Sequence, residues 1–285
     1  MDRFKDTKKA GIIGIIGNMF LLIIKASIGF LTNSQAMIAD SFNSAGDIFA
    51  SAMTFIGNKI ASEPKDDSHN YGHGKAEYIF SFFISLSMIV VAGRLLYSSI
   101  NSLVNKDFMT FSWWLVLVCI VTIIVKLSLY LYTNKLCKKY NNILLEANSK
   151  DHRNDCVVTT FTLISVVASI FGIYWLDGVV GIGISAWIAI TGVRIFIESY
   201  NVLMDKSLDD DTKNLIASMV KSSNDIKEIT SFNTIPVGYE YMVVLTITVD
   251  GNMSTFDSHK LADSLETKIT KLDKIYNTVI HVNPI

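Results

Sequence analysis

Cysteine is scarce in this chain. Cys119, Cys137 and Cys156 are the only three, and no two of them have CxxC spacing. Two lie in apolar segments, where a thiol acts as a small hydrophobe, so neither disulfides nor zinc-thiolate chemistry is expected. Net charge is scarce too. Lys and Arg total 25 against 26 Asp and Glu, and no basic stripe is present. That balance argues against a nucleic-acid partner. No small-residue cleavage site follows the first apolar run, so it reads as a retained helix and not as a signal peptide. Low-complexity linkers and internal repeats are also missing.

Long apolar runs are abundant, and half of the 285 residues are hydrophobic. Several runs approach the roughly 20 residues needed to cross a bilayer. Six spans fit the pattern, at about 10–31, 36–58, 78–102, 112–134, 145–174 and 178–199. Basic residues mark one side. The N-terminal tail carries Arg3, Lys5, Lys8 and Lys9, the 59–77 connection carries Lys59, Lys65 and Lys75, and the 135–153 connection carries Lys135, Lys138, Lys139, Lys150 and Arg153. The turns at 32–35 and 175–177 carry none, and 103–111 carries only Lys106. The positive-inside rule then expects a multi-pass cell-membrane protein with both termini cytoplasmic. Trp113, Trp114 and Trp175 fall at the outer interface, where indoles prefer to sit.

The composition turns polar after about residue 205, which divides the chain into a six-span domain, 1–205, and a tail domain, 206–285. "DDTKNLIASMVKSS" has helical periodicity behind an acidic start. "KEITSFNTI" and "YMVVLTITVD" have strand composition. "FDSHKLADSLETKITKL" is a second amphipathic helix and "YNTVIHVNPI" a last strand. The fold class expected is an all-α membrane domain plus a small αββαβ, ferredoxin-like α+β domain. A domain of about 75 residues is marginal alone, so self-association is expected.

Charges inside a span cost several kcal/mol and call for explanation. In "SQAMIADSFNSAGDIFASAMTFIG", Asp40, Asn43 and Asp47 lie on one helical face. Asn43 and Asp47 are four apart and can aim oxygens at one point. Asp151 and Asp155 repeat that spacing at the mouth of span 5. Two helices with such pairs make a four-ligand oxygen cage for a divalent cation, provided span 5 continues as helix through its polar start. Hard oxygen donors suit Mn²⁺, Mg²⁺ or Ca²⁺ better than zinc. The alternative is a polar seam satisfied by neighbouring helices. His152 lies about 100° round from the Asp151–Asp155 face, which favours a supporting or exposed role over direct ligation.

"ADSFNSAGDIFAS", "HNYGHGKAEY" and "DHRND", in that order, resemble the cation diffusion facilitator family of divalent-metal exporters. The resemblance covers essentially the whole chain. It implies a homodimer that exchanges cytoplasmic metal for outside protons, with Asn43, Asp47, Asp151 and Asp155 as the transport site. Asp151 stands where the zinc pattern has His, and Asn43 where His or Asp is usual. Both departures are similar to the manganese-exporting branch, so Mn²⁺ is the expected cargo, with Fe²⁺ or Zn²⁺ as alternatives. No other cofactor is expected.

The resemblance further implies a secondary metal site at Asp66, His69 and His73, and a charge interlock between Lys75 and Asp205. In the tail, Phe232 and Leu245 stand near expected histidines and Asn283 where an aspartate is expected. His259 and His281 remain, two isolated histidines that make at most a weak site. Dimerisation is then the tail's main expected role. Two other classes compete. An intramembrane aspartyl protease would also use two membrane aspartates, but "SAGD" is a poor match to GxGD. A metal sensor would use the tail, whose low histidine content counts against it.

Overall fold

The computed structural model describes residues 2–31, 35–105, 112–171, 173 and 175–285, except the side chains of 29, 35–40, 42, 43, 105, 169, 176 and 177. Two compact units emerge. One comprises the residues up to Ser62 with Ala76–Tyr200, the other Glu63–Lys75 with Asn201–Ile285. The connection at 63–75 therefore packs with the C-terminal part of the chain.

The first unit is built from long helices: α1 (Asp2–Leu31), α2 (Gln35–Ala61), α3 (Ala76–Asn105), α4 (Trp113–Tyr140), α5 (Ile143–Ile170) and α6 (Trp175–Leu203). Among the described residues, α1, α3, α4 and α6 contain stretches long and apolar enough to cross a membrane. Their outward faces carry large apolar side chains such as Ile16, Ile23, Val90, Ile124, Leu131 and Ile190. Such surface suits lipid and would be a liability in water. Helix α2 packs against α1, α3 and α5, and α4 packs against α1 and α5.

The 135–153 stretch is not an open connection. Helix α4 runs on to Tyr140, Asn141 turns the chain in the left-handed region (φ 46°), and α5 begins at Ile143. Asn142 caps that start by accepting hydrogen bonds from the Leu144 and Leu145 N–H groups at 2.8 and 3.1 Å. The cap satisfies N–H groups that a helix start leaves without partners. It lets α5 stay helical through "NSKDHRND".

Small residues bring α1 close to α2, as is common where helices meet in lipid. A Cβ at Gly14 would lie 2.6 Å from Ser51 Oγ, so only glycine fits there. Polar contacts tie the same bundle together. Arg3 Nη2 donates to Glu77 Oε2 at 2.6 Å, and Asn142 Nδ2 donates to Glu77 Oε1 at 3.0 Å. Arg3, counted in the sequence among the basic residues of the N-terminal tail, is thus an ion-pair partner of a buried carboxylate.

In the second unit the order is α7 (Asp210–Lys221), β1 (Ile226–Val237), β2 (Glu240–Val249), α8 (Thr255–Thr270) and β3 (Ile275–Pro284). The expected αββαβ domain is observed. Strand β1 is antiparallel to β2, with Phe232 opposite Leu245. Strand β3 is parallel to β2, which requires the crossover that α8 supplies. Ile216, Val220, Leu245, Ile247, Leu265 and Ile269 form the core beneath the sheet. Asp209 caps α7 by accepting the Thr212 N–H at 2.9 Å, and Ser254 caps α8 by accepting that of Asp257 at 3.1 Å. The 63–75 segment joins this unit through Tyr71, edge-on to Tyr276 at 6.3 Å, and through Gly74 against Gly238.

Candidate metal-transport site

Helices α2, α4 and α5 bring Asp47, Asp155 and Lys126 together. Lys126 Nζ donates to Asp47 Oδ2 and to Asp155 Oδ2, each at 2.6 Å. Its side chain is 1% exposed, while those of Asp47 and Asp155 are 16% and 25% exposed. One ammonium therefore links carboxylates from two helices. The backbone of Asp47 is held as well, because Asn18 Nδ2 donates to its carbonyl at 3.1 Å and to Ser51 Oγ at 3.2 Å.

Asp151 and Asp155 lie one turn apart on α5. Asp151, His152 and Asp155 each offer a ligand atom, all within 4.8 Å of one another. Asp151 Oδ2 is buried and has no hydrogen-bond partner among the described residues. Buried oxygens without partners are costly and rare in proteins, which makes this one a natural cation ligand. Asn43 belongs to α2, but its side chain lies outside the described residues, as does that of Asp40.

His152 departs from the exposed alternative. It is fully buried, and neither ring nitrogen has a hydrogen-bond partner among the described residues. The reason is the packing of α1: the space above Gly14 receives the imidazole, with Nε2 3.6 Å from where a Cβ would stand. Arg153 and Lys150, counted among the basic residues of the 135–153 connection, have partners too. Arg153 lies over the Trp187 ring at 4.4 Å, and Lys150 pairs with Glu146.

A second cluster lies in the other unit. Asp66, His69 and His73 offer ligand atoms within 4.8 Å of one another. His69 Nδ1 is 3.2 Å from Asp66 Oδ1, and His73 Nε2 is 3.6 Å from Asp66 Oδ2. Here the loop backbone already satisfies the carboxylate. The N–H groups of His69 and Ser68 donate to Asp66 Oδ1 at 2.6 and 2.8 Å and hold its carboxyl below the usual carboxylate range. Lys75 Nζ donates to Asp205 Oδ1 at 2.7 Å, across 130 residues of chain. His259 on α8 and His281 on β3 are both exposed, and neither joins a group of three possible ligands among the described residues.

Lys126 is the functional candidate that sequence reasoning missed. The signal was present, because it is the only charged residue between 112 and 134.

Comparison with known proteins shows what kind of chain carries these residues. The model of the cation efflux transmembrane domain matches residues 11–204, and that of the cation efflux protein cytoplasmic domain matches 208–285. The chain belongs to the cation efflux family. Family members are transporters of metal cations and not enzymes, so the protease alternative falls. Curated relatives cover nearly the whole chain. The uncharacterized transporter MJ0449 of Methanocaldococcus jannaschii is 28% identical over 98% of this chain and 99% of its own. The manganese efflux system protein MneS of Bacillus subtilis is 28% identical over 100% of this chain and 99% of its own. The cation-efflux pump FieF of Shewanella oneidensis is 26% identical over 93% of this chain and 90% of its own. The protein is a multi-pass divalent-cation efflux transporter of the cation efflux family.

Proposed function

We propose that this transporter exports Mn²⁺ from the cytoplasm across the cell membrane, with both termini on the cytoplasmic side. The observation that carries the reading is that Lys126 joins Asp47 of α2 to Asp155 of α5, while Asp151 offers a ligand atom within 4.8 Å of Asp155. Asn43, four residues before Asp47, is the fourth ligand in this reading. An oxygen-rich donor set suits a hard divalent ion. Similarity to a manganese efflux system protein supports the same cargo.

Transport proceeds by alternating access in a homodimer joined through the tail domain. Metal binds to ionised carboxylates on the cytoplasmic side. On the outer side protons compete for those oxygens and help eject the ion, since binding requires deprotonated ligands. Lys75 and Asp205 form the charge interlock. Asp66, His69 and His73 form a secondary, exposed metal site. His259 and His281 contribute at most weak binding in the tail.

Zinc is the second reading, favoured by one observation. His152 brings a nitrogen donor within 4.8 Å of the Asp151 and Asp155 oxygens, and nitrogen suits zinc.

The test is uptake into sealed proteoliposomes with Mn²⁺, Fe²⁺ and Zn²⁺ supplied in parallel. Wild type is expected to move Mn²⁺ best. An Asn43→His, Asp151→His double variant is expected to shift preference toward Zn²⁺. Zinc transport by the wild type with no manganese transport sinks the manganese assignment.

A further inference from the structure

Lys126 lies outside the proposed ligand set yet stands among its members. Its Nζ is 2.6 Å from oxygens of both Asp47 and Asp155. A cation is therefore already held by two of the carboxylates that a metal would need. The chemistry of burial explains why. Anions removed from water need a counter-charge, and one supplied within the chain is present even when no metal is. Lysine suits that task better than arginine does. Its ammonium is a compact point charge on a flexible four-carbon stem, able to leave two oxygens and return to them.

Charge balance points the same way. Lys126 supplies one positive charge to two carboxylates, and Asp151 adds a third carboxyl beside Asp155, so acidic groups outnumber the ammonium that pairs with them. Asp151 Oδ2, without a hydrogen-bond partner among the described residues, is the oxygen on which Lys126 makes no claim.

We propose that Lys126 is a tethered counter-cation of the transport site. Its ammonium joins Asp47 to Asp155 between metal loads, and an incoming divalent ion binds by displacing those two hydrogen bonds. This deepens the metal-efflux reading and rests on it. It also assigns Lys126 a part in selectivity. A monovalent ion offers the carboxylates no more charge than the ammonium already gives, so its displacement is unrewarded. A divalent ion offers twice as much. When the ion departs, the ammonium closes the site again.

The experiment is equilibrium binding of Mn²⁺, followed by electron paramagnetic resonance of the free ion, to full-length protein in nanodiscs. Lys126→Met should bind Mn²⁺ about tenfold more tightly or better, because a built-in competitor for close buried charges is gone. Lys126→Arg should bind it more weakly, since a planar fork grips both carboxylates. A large excess of K⁺ should compete with Mn²⁺ in Lys126→Met and not in the wild type. If Lys126 is a permanent structural tie, Lys126→Met loosens the carboxylates and weakens binding. Weakened or unchanged binding in that variant overturns the proposal.

Should Lys126→Met fail to fold, the wild type answers alone. An apolar carbodiimide should couple Lys126 to Asp47 or Asp155 in metal-free protein, and saturating Mn²⁺ should suppress the product seen by mass spectrometry. No coupling, or coupling indifferent to Mn²⁺, counts against displacement. The two readings fail separately. Wild-type binding that is lost in Asp155→Ala but unaltered in Lys126→Met removes only the role of Lys126. No Mn²⁺ binding in the wild type removes the manganese site itself.

Discussion

Two clusters of metal-type ligands occur among the described residues, one largely enclosed and one exposed. Around α5, Asp151 and Asp155 sit in the bundle with Asp47, and the chain commits a buried lysine to them. At the loop, Asp66 is half exposed and satisfied by two backbone N–H groups. The difference is one of solvation. Water and local backbone stabilise an exposed carboxylate at little cost, and pairs formed there contribute at most about 1 kcal/mol. A buried carboxylate has no such help and must find a cation. Burial is thus what the cation-exchange proposal needs at the first cluster and what the second lacks.

The largest expected effect tests the buried side. Asp47→Ala and Asp155→Ala should each abolish metal flux in proteoliposomes, because each removes a ligand and strips Lys126 of a partner. Breaking a buried pair costs about 3–5 kcal/mol, so asparagine variants that elute as folded protein should accompany them. Flux retained in either removes that residue from the site.

Next comes the wall behind the cluster. Gly14→Leu drives a side chain into Ser51 and the His152 ring. Overpacking of this kind costs about 1–3 kcal/mol. A lower melting temperature and a severe loss of flux are expected; unchanged flux would mean that α1 does not shape the site.

A smaller effect sharpens the contrast. His73→Ala should weaken metal binding at the exposed cluster, read by titration, and lower flux far less than Asp155→Ala does. Equal loss in the two would show that burial is the wrong criterion for ranking them.

The smallest effect is structural and lies in the tail. Asp209→Ala removes the α7 cap and should cost about 1 kcal/mol in thermal unfolding. The Thr212 N–H holds the Asp209 carboxyl below its ordinary value of 3.8. The stabilisation is thus present above that pH and lost as pH falls through the lower folded value. A difference between wild type and variant that persisted at still lower pH would show that the cap acts without its charge.

The helices and the αββαβ order were legible because they rest on local periodicity. Apolar runs, capping residues and β-branched segments each act over a few residues. The i, i+4 pairing of Asp151 with Asp155 was legible for the same reason. The extension of α4 to Tyr140 and the tight turn into α5 were not, because polar residues there mimic a loop until Asn142 is seen capping α5. Nor was the burial of His152, which depends on a glycine of α1 that lies 138 residues earlier in the chain.

Sequence alone determined which elements form, which of them are apolar enough to meet lipid, and which carboxylates lie one turn apart, since spacing and composition decide those. Tertiary structure alone decided that a lysine of α4 lies between aspartates of α2 and α5, and that the 63–75 segment packs with the tail unit. Such meetings join residues far apart in the chain. They follow from how buried charges find their partners once the helices pack, and no local pattern records that outcome.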